Sequence, residues 1–416
     1  MRIRCSTLLL LAGAAAVAAG GPLPLDATSA LDLARTRAPG ILAARAEVTV
    51  AAGEAESARA WRHNPELAFE AGPRHGDLGT TPDRFLSLTQ PLDLGFNGRG
   101  ARIAAAAAGA RAVDLERRGT VLDILADVAR AHLLALHARD RQAIAGELVA
   151  VAERLADVAQ RRHEAGEVGI LDSQVAAVTL AGARVTLLRA EADAADAMAE
   201  LKRLLGLEVD REVELAGEVS WPAPPDLAAV RTAASLHPAL AAHAARTEQS
   251  GARLREAAAA GRPEFAISAG AGREERSDLL TFGLTMSLPV LNTGGGERRA
   301  AAAADTLARL QQQDARRRLD SRVTGAWHRH RNLQAALRTY LAEAVAAQAS
   351  SVQLVEESYL TGKIDLGEVL AVQRELLAAR VELANLRLEA ALAAVDVRAL
   401  AALPLLADAS EGEMTP

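Results

Sequence analysis

The sequence predicts a mainly α-helical fold with a small β part, organised as an internal two-fold repeat. Three observations support this prediction. A set of short motifs occurs twice, four segments alternate between apolar and small or polar residues, and two long stretches contain no proline. Solenoid units are roughly 20 to 50 residues long, much shorter than this repeat. Each half of the chain is therefore predicted to be one structural module used twice.

Corresponding motifs in the two halves lie about 196 residues apart. The matched pairs are NPEL at 64–67 with RPEF at 262–265, LTQPL at 88–92 with LTMSL at 284–288, Gly98 and Gly100 with Gly294 and Gly296, and the Gly166 to Asp172 segment with the Gly362 to Glu368 segment. Each half reads as helix, strand, strand, long helix, short break, helix. We predict a first repeat at 20–207, a linker at 208–225, a second repeat at 226–403 and a C-terminal tail at 404–416.

The four alternating segments each have one apolar face and one face of small or polar residues. The clearest case places Leu280, Phe282, Leu284, Met286 and Leu288 opposite Thr281, Gly283, Thr285 and Ser287. Four of the five phenylalanines lie in such segments, namely Phe69, Phe85, Phe265 and Phe282. Strands of about ten residues with this alternation suit a transmembrane β-barrel with lipid outside and water inside. A soluble sheet with one solvated face is the alternative.

The helices between these strands are long. No proline interrupts the chain from Ala101 to about His163 or from Arg298 to about Leu360, and each run corresponds to roughly 95 Å of helix. The predicted helices from Ser29 to about Trp61 and from Ile170 to about Leu205 together match that length, which indicates end-to-end stacking beside one long helix. A heptad stripe in the last helix predicts coiled-coil packing through Val369, Val372, Leu376, Ala379, Leu383, Leu386, Ala390 and Ala393.

The N-terminus predicts export from the cytoplasm. Arg2 and Arg4 precede an apolar run that ends in small residues, which is typical of a cleaved signal peptide at 1–19. The single cysteine, Cys5, precedes the apolar run, so it is not positioned as the lipidated first residue of a mature lipoprotein. Cleavage changes the formal net charge from −6 to −8, and an acidic chain argues against nucleic acid as a partner. The mature sequence lacks a run of about 18 uncharged apolar residues that would span a bilayer as a helix.

The sequence contains three incomplete catalytic or cofactor motifs. His163-Glu164 lacks a second histidine four residues later, and His328 and His330 lie two residues apart on a helix, which makes them poor co-ligands. Gly294, Gly295 and Gly296 lack the Gly-Lys-Ser/Thr of a phosphate loop. We predict that these glycines, with Gly98 and Gly100, form the junction between strands and helices. We expect neither enzymatic activity nor a metal or other cofactor.

The order and duplication of these motifs resemble the TolC-type outer-membrane efflux family, and the resemblance covers about 29–403. It is carried by the doubled helix-strand-strand-helix module, the glycine breaks that precede Asp172 and Glu368, and LTQPLDLG at 88–95 leading into GRGAR at 98–102. The resemblance implies a homotrimer. Twelve strands would form one β-barrel in the outer-membrane lipid, and twelve helical columns would form an α-helical tunnel through the periplasm. Gly72 to Arg84 and Gly270 to Ser277 would be external loops, and the linker around Trp221 would belong to a belt around the tunnel.

The resemblance also implies positions for the periplasmic tips and a gate. The tips, which would contact an adaptor, are formed by Gly166, Glu167, Val168, Gly169, Gly362, Lys363, Ile364 and Asp365. Asp172 and Glu368 would line or lock a constricted periplasmic gate. The alternative is that both are ordinary acidic residues at helix N-termini, where the macrodipole favours negative charge. Some relatives carry another acidic residue at the position of Ala371, so this gate is expected to be less selective for cations.

The predicted function is a passive exit duct in the bacterial outer membrane, extending into the periplasm. Its partners would be a periplasmic adaptor and an inner-membrane pump of the resistance-nodulation-division type. The NPEL motif with Glu70, and the stretch from Gln90 through Gly98 to Arg102, resemble the cobalt-zinc-cadmium branch and imply heavy-metal cations as cargo. The alternatives are a duct for drugs or other small molecules and, in another class, a periplasmic adaptor or a coiled-coil scaffold. An adaptor should contain one helical hairpin between β-domains, and a scaffold leaves the strands unexplained.

Overall fold

The computed structural model describes residues 21–76, 79–259, 261–274, 277–360 and 364–406. The predicted signal peptide, Gly362, Lys363 and residues 407–416 of the predicted tail lie outside these ranges. The helices are α1 Ala27–Arg37, α2 Pro39–Arg59, α3 Arg99–Glu164, α4 Ile170–Leu205, α5 Leu227–Ala234, α6 Pro238–Ala259, α7 Gly295–Leu360 and α8 Leu366–Leu400. The strands are β1 Leu23–Leu25, β2 Glu66–Gly76, β3 Gly79–Leu92, β4 Val213–Leu215, β5 Phe265–Glu274 and β6 Ser277–Met286. The fold is thus mainly helical with a small β part.

The helices form a layer of four parallel columns. The long helix α3 packs against α2 and α4 on one side and against α6 and α8 on the other, while α7 packs against α6 and α8. Each 66-residue helix, α3 or α7, is roughly 99 Å long. The first column consists of α2 and α4, and the third consists of α6 and α8. The predicted stacking of short helices beside long ones is confirmed.

One predicted helix is wrong in detail. The segment expected to be helical from Ser29 to about Trp61 consists of α1 and α2, separated at Ala38. Ala38 has φ −55° and ψ 123°, outside the helical region, and Pro39 begins α2. The proline ring crowds the preceding residue and lacks an N–H group, so one helix ends and another starts there.

The strands β2, β3, β5 and β6 form one antiparallel sheet in that order. This order follows that of the four helical columns: β2 leads back to the α2 column, β3 into α3, β5 back to the α6 column and β6 into α7. In the described structure the sheet therefore has two open edges, β2 and β6. The helical layer has its open edges in the same two places, at the first column and at α7.

The register of the sheet confirms the predicted alternation of faces. One row across the four strands contains Leu67, Leu88, Ala269 and Phe282, and the next contains Phe69, Leu86, Ala271 and Leu280. These large apolar side chains are exposed in the single chain; Phe282 is 79% and Leu67 69% accessible. The opposite face carries rows such as Ala68, Ser87, Gly270 and Thr281. An apolar face of this size requires an apolar environment or a partner.

The predicted external loops are shorter than expected. The pairing of β2 with β3 continues through Gly72 and Arg74 up to Gly76 with Gly79, and β5 and β6 pair out to Glu274 with Ser277. Charged pairs hold these extensions, with Arg74 Nε 2.6 Å from Asp83 Oδ2 and Arg273 Nε 3.0 Å from Asp278 Oδ1. Ion pairs between neighbouring strands stabilise strand pairing at exposed positions, as pairs of apolar side chains do at buried positions. The strands consequently extend beyond their apolar portion.

A belt of short elements covers one side of the helical layer at mid-height. The belt comprises β1, β4, α5 and the linker, and β1 pairs in parallel with β4. Leu25 of β1 joins the main apolar core with Leu133 and Leu136 of α3 and with Leu201 and Leu205 of α4. The Trp221 indole donates to Leu405 O at 2.8 Å, and Arg398 donates to Pro222 O and Ala223 O, both at 3.0 Å. These bonds fasten the linker to the C-terminal end of α8.

Histidines flank α8 and lie close to its backbone. His330 of α7 lies near the backbone of Ala390, the half-buried His137 of α3 near that of Ala384, and His237 before α6 near that of Ala399. Burial lowers the pKa of each of these imidazoles. Burial likewise lowers the pKa of His132, whose Nε2 lies 3.2 Å from Leu25 O. The folded protein thus favours neutral imidazoles at these positions.

We expect acid to destabilise this fold through these histidines. An unfolded histidine has a pKa of about 6.5, so below that pH the unfolded chain binds protons that the folded chain disfavours. The contribution of these neutral histidines to the free energy of unfolding should be fully present above pH 6.5 and should be lost as the pH decreases further. The measurement is the melting temperature of purified protein between pH 7.5 and 5.5. His330→Gln, which removes the titratable imidazole but keeps a polar side chain of similar size, should reduce this pH dependence.

His328→Gln is the matched control, because His328 lies on the same helix but is exposed. It should leave the pH dependence unchanged. If His330→Gln and His328→Gln give the same pH profile as the parent protein, the buried histidine does not contribute to acid sensitivity.

Candidate functional site

The first predicted tip is a tight reversal between α3 and α4. Gly166 has φ +76°, and its N–H donates to His163 O at 2.9 Å while the Glu167 N–H donates to Arg162 O at 2.9 Å. This pair of bonds is the Schellman arrangement that ends helices, and a left-handed residue such as glycine is needed there. The chain then extends through Val168 and Gly169 into α4.

Asp172 lies in the first turn of α4. Its N–H donates to Gly169 O at 3.2 Å, and its side chain is half-buried. The neighbouring Ser173 hydroxyl donates to Gln160 Oε1 at 2.7 Å, which ties the start of α4 back to the end of α3. A carboxylate at this position interacts favourably with the helix dipole. The position of Asp172 is therefore compatible with both sequence hypotheses.

Glu368 occupies the equivalent turn of α8. The N-cap of α8 is Asp365, whose Oδ1 accepts the Glu368 N–H at 2.8 Å. Asp365 was predicted as a tip residue that contacts an adaptor, and the structure gives it a capping contact. The Glu368 side chain is exposed. Of the other predicted residues of this tip, Ile364 is half-buried, whereas Gly362 and Lys363 lie outside the described residues.

A small apolar cluster brings the two helix starts together. It contains Leu155 and Ala159 of α3, Ala176 of α4 and Val369 of α8, with Ile364 packed against it. Ala176 is one helical turn from Asp172, and Val369 directly follows Glu368. Both predicted gate residues thus lie at the same end of the helical layer, on helices that share one small core.

The predicted glycine junction lies where the strands lead into the long helices. Gly98 has φ +86° and precedes α3, and Gly294 has φ +67° and precedes α7. A Cβ on Gly98 would lie 3.1 Å from Ala259 Cβ, so both its conformation and its packing require glycine. Gly100, Gly295 and Gly296 lie in the first turns of the two helices.

An ion-pair cluster at this junction was not singled out from the sequence. Asp93 is nearly buried and contacts Arg102, with 2.6 Å between Oδ2 and Nη2, while Arg102 also donates to Ala58 O and Ala60 O. Arg262 donates to Phe96 O at 2.7 Å, which links the second half of the chain to the first. The sequence feature that could have indicated this cluster is Asp93 between Leu92 and Leu94, because a charged side chain in an apolar segment needs a partner of opposite charge.

The predicted tips, gate residues and glycine junction can orient the chain and interact electrostatically with ions. Within the described residues, no group of three or more histidine, cysteine, aspartate or glutamate side chains is arranged to hold a metal ion. The first predicted tip has a glycine turn, and Glu167, Asp365 and Glu368 are exposed acidic side chains near the predicted tips. The junction presents a rigid change of direction from sheet to helix. These features can position strands and helices and attract cations.

Comparison with known proteins identifies the family. A model described as Outer membrane efflux protein matches residues 30–207 and 229–403. The nickel-cobalt-cadmium resistance protein NccC of Alcaligenes xylosoxydans xylosoxydans is 31% identical over 173 residues, which is 41% of this chain and 39% of that protein. The aligned part of this chain therefore spans about two fifths of the relative's length.

Solved structures agree on the fold. The Campylobacter jejuni CmeC outer membrane channel superimposes with a TM-score of 0.78 at 15% identity, covering 92% of this chain and 88% of that one. CusC, described in connection with transmembrane channel formation, gives a TM-score of 0.73 at 17% identity, covering 90% of this chain and 91% of that one. The chain therefore belongs to the outer membrane efflux protein family and has the fold of TolC-type channels.

Proposed function

We propose that this protein is the passive outer-membrane exit duct of a tripartite efflux system and that three copies form it. The observation that carries this proposal is the pair of open edges shared by the sheet and the helical layer. In this proposal the two halves, 20–207 and 226–403, are duplicated modules joined by the linker at 208–225. One copy supplies four strands and four helical columns.

The sheet requires other copies because its edges lie in lipid. Edge strands expose unpaired N–H and C=O groups, and no water is available in the bilayer core to satisfy them. Bacterial outer-membrane barrels have at least about 8 strands, so four strands cannot close alone. Pairing β6 of one copy with β2 of the next, three times, closes a barrel of twelve strands. The exposed row around Phe282 then faces lipid, and the row around Thr281 faces water.

The helical edges also present surfaces suited to a second copy. The exposed apolar residues of α4 include Leu171, Val175, Val178, Val185 and Leu188. Their spacing is that of a heptad seam. Among the described helices, α4 has an 18-residue window apolar enough to cross a membrane by composition, yet only 11% of that window is buried in the single chain. We attribute its apolar surface to contact with α7 of a neighbouring copy.

The proposed duct depends on other proteins for energy and cargo. The tips at 166–169 and 362–365 would contact a periplasmic adaptor, and a resistance-nodulation-division type pump in the inner membrane would drive transport. The similarity to NccC supports divalent heavy-metal cations as cargo. A duct for drugs is the second candidate, since a duct need not bind what it conducts. Loss of growth on nickel, cobalt or cadmium after gene deletion, with drug tolerance unchanged, would support metal export.

The first test of this function is the state of assembly. A sheet with two open edges should leave no folded monomer of comparable stability, because folding and association are linked. We expect native mass measurement in mild detergent to give three chains per particle, recovered from the outer-membrane fraction. A stable monomer, or recovery in the soluble periplasmic extract, would contradict the duct and favour an adaptor or scaffold.

The second test concerns the faces of β6. Leu284 is 70% exposed on the apolar face, and Thr285 is its neighbour on the opposite face. Leu284→Arg should cost about 2 to 4 kcal/mol if the residue lies near the bilayer midplane. Thr285→Arg, the matched control, should be much milder because it would face water. Equal loss of trimer yield from the two variants would mean that the faces are assigned wrongly.

The third test concerns the gate. If three copies of Asp172 and Glu368 converge near the axis, removing their charge should shift the channel toward its open state without unfolding it. We expect Asp172→Ala combined with Glu368→Ala to raise single-channel conductance in a planar bilayer and to weaken block by divalent cations added on the periplasmic side.

Asp365→Ala is the control for the helix-capping alternative. It removes the cap of α8, which should cost about 0.5 to 2 kcal/mol of stability, and leaves both proposed gate residues in place. Its conductance should remain that of the parent. If the double variant also keeps parental conductance and cation block, Asp172 and Glu368 act only at helix termini.

A further inference from the structure

A large cavity lies at mid-height where the third helical column is interrupted. Its volume is about 980 Å³, and its walls come from α3, α6, α7 and α8. The end of α8 meets the start of α6 there, and His237 links the two helices. Its Nδ1 accepts the Ala239 N–H at 3.1 Å, and its ring lies near the backbone of Ala399. The Nδ1 atom of His237 is therefore already engaged by the backbone.

This cavity opens on the side of the layer opposite the belt. On α7 the belt side is marked by Asp320 and Thr324, which contact Arg231 of α5, and by Trp327, which donates to Pro225 O at 3.1 Å. The cavity side of α7 carries Arg318, Arg322 and Arg329. At 100° per residue, Arg322 lies about 160° around the helix from Thr324. The cavity arginines and the polar belt contacts thus lie on opposite faces of α7, with Leu319 and Ala326 between them, where they line the cavity and also pack against α5.

Two arginines in the cavity form no ion pair within the described part of the chain, so its cationic side chains outnumber its acidic ones. Arg130 pairs with Asp396 at 2.8 Å, and Arg318 pairs with Asp314 at 2.7 Å. Within the described part of the chain, neither Arg322 nor Arg329 forms an ion pair. The remaining acid is Asp123, and burial raises the pKa of its carboxyl, although His237 and nearby arginines oppose that shift.

The helix ends add little net charge to this cavity. The start of α6 carries a partial positive charge and the end of α8 a partial negative charge, and both line the same space. These dipoles oppose each other. The excess positive charge therefore resides on the Arg322 and Arg329 side chains, which lie seven residues apart, two turns along one face of α7.

We propose that this cavity binds a small oxyanion or carboxylate ligand, held by Arg322 and Arg329. Guanidinium groups bind carboxylate, phosphate and sulfate oxygens through paired, charge-assisted hydrogen bonds. If the protein is the trimeric duct proposed above, the belt lies outside and the cavity faces the tunnel. Three cationic sites then surround the middle of a path whose periplasmic tips are acidic. The tunnel would hold anions at mid-height and attract cations at its mouth.

The direct test is calorimetric titration of inorganic phosphate into the detergent-solubilised protein. We expect saturable binding that Arg322→Gln combined with Arg329→Gln weakens at least about tenfold. Arg331→Gln is the matched control: it removes the same charge from α7, but Arg331 projects from the other side of the helix, beside the Trp327 ring. It should bind phosphate as the parent does. Equal binding by all proteins would indicate no specific site, and absence of binding by the parent would overturn the proposal.

A second measurement separates this site from the duct itself. In a planar bilayer with a salt gradient, the double variant should shift the reversal potential toward cation selectivity, and Arg331→Gln should not. Specific phosphate binding without this shift would confirm the anion site but show that it does not face the tunnel. The proposed orientation, with the belt outside and the cavity inside, would then be wrong. If the parent does not bind phosphate and the double variant fails to form trimers, the two arginines pair with acids of a neighbouring copy and the anion site is wrong.

Discussion

Backbone hydrogen bonding at the open edges of the four-stranded sheet is the constraint on which the rest of this structure depends. β2 and β6 each leave one row of N–H and C=O groups unpaired in the described chain, and their apolar face places those groups where water cannot satisfy them. The four columns of the helical layer follow the strand order of the sheet. The helical columns continue the strands one by one, so the edges of the helical layer coincide with those of the sheet. Closure of one layer therefore requires closure of the other.

The helical layer is built for close approach more than for a thick core. Its buried residues are largely alanine, including Ala108, Ala112, Ala126 and Ala129 in α3 and Ala390, Ala394 in α8. Small side chains let long helices lie near one another along their whole length, but each contributes little apolar area. Larger residues concentrate at the belt, where Leu133, Leu201 and Leu205 are fully buried. The belt is thus the region in which a single chain has a substantial core, and the regions above and below it bury less apolar area within one chain.

Charge is distributed unevenly along the molecule. The acidic residues at the tips lie at helix N-termini, where the macrodipole stabilises them whether or not they act in a gate. The cavity at mid-height has the opposite character, because its aspartates are already paired or have a raised pKa while Arg322 and Arg329 are not paired. A duct with this distribution does not present one uniform potential to its cargo. The family similarity supports export, and the distribution of charge follows from the named side chains of this chain.

The sequence by itself determined the features that repeat at short range. The alternation in 280–288 predicted the exposed apolar face, the glycines at 98 and 294 predicted the strand-to-helix junction, and the proline-free runs predicted two long helices, since period and propensity are local properties. Tertiary structure decided the contacts between distant residues. His330 lies near Ala390, Arg102 donates to Ala58 O and Ala60 O, and Asp123 lies near His237, because segments far apart in the chain pack side by side. Such pairs leave no periodic signal. The sequence therefore revealed the modules, and packing revealed where their charges and buried histidines lie.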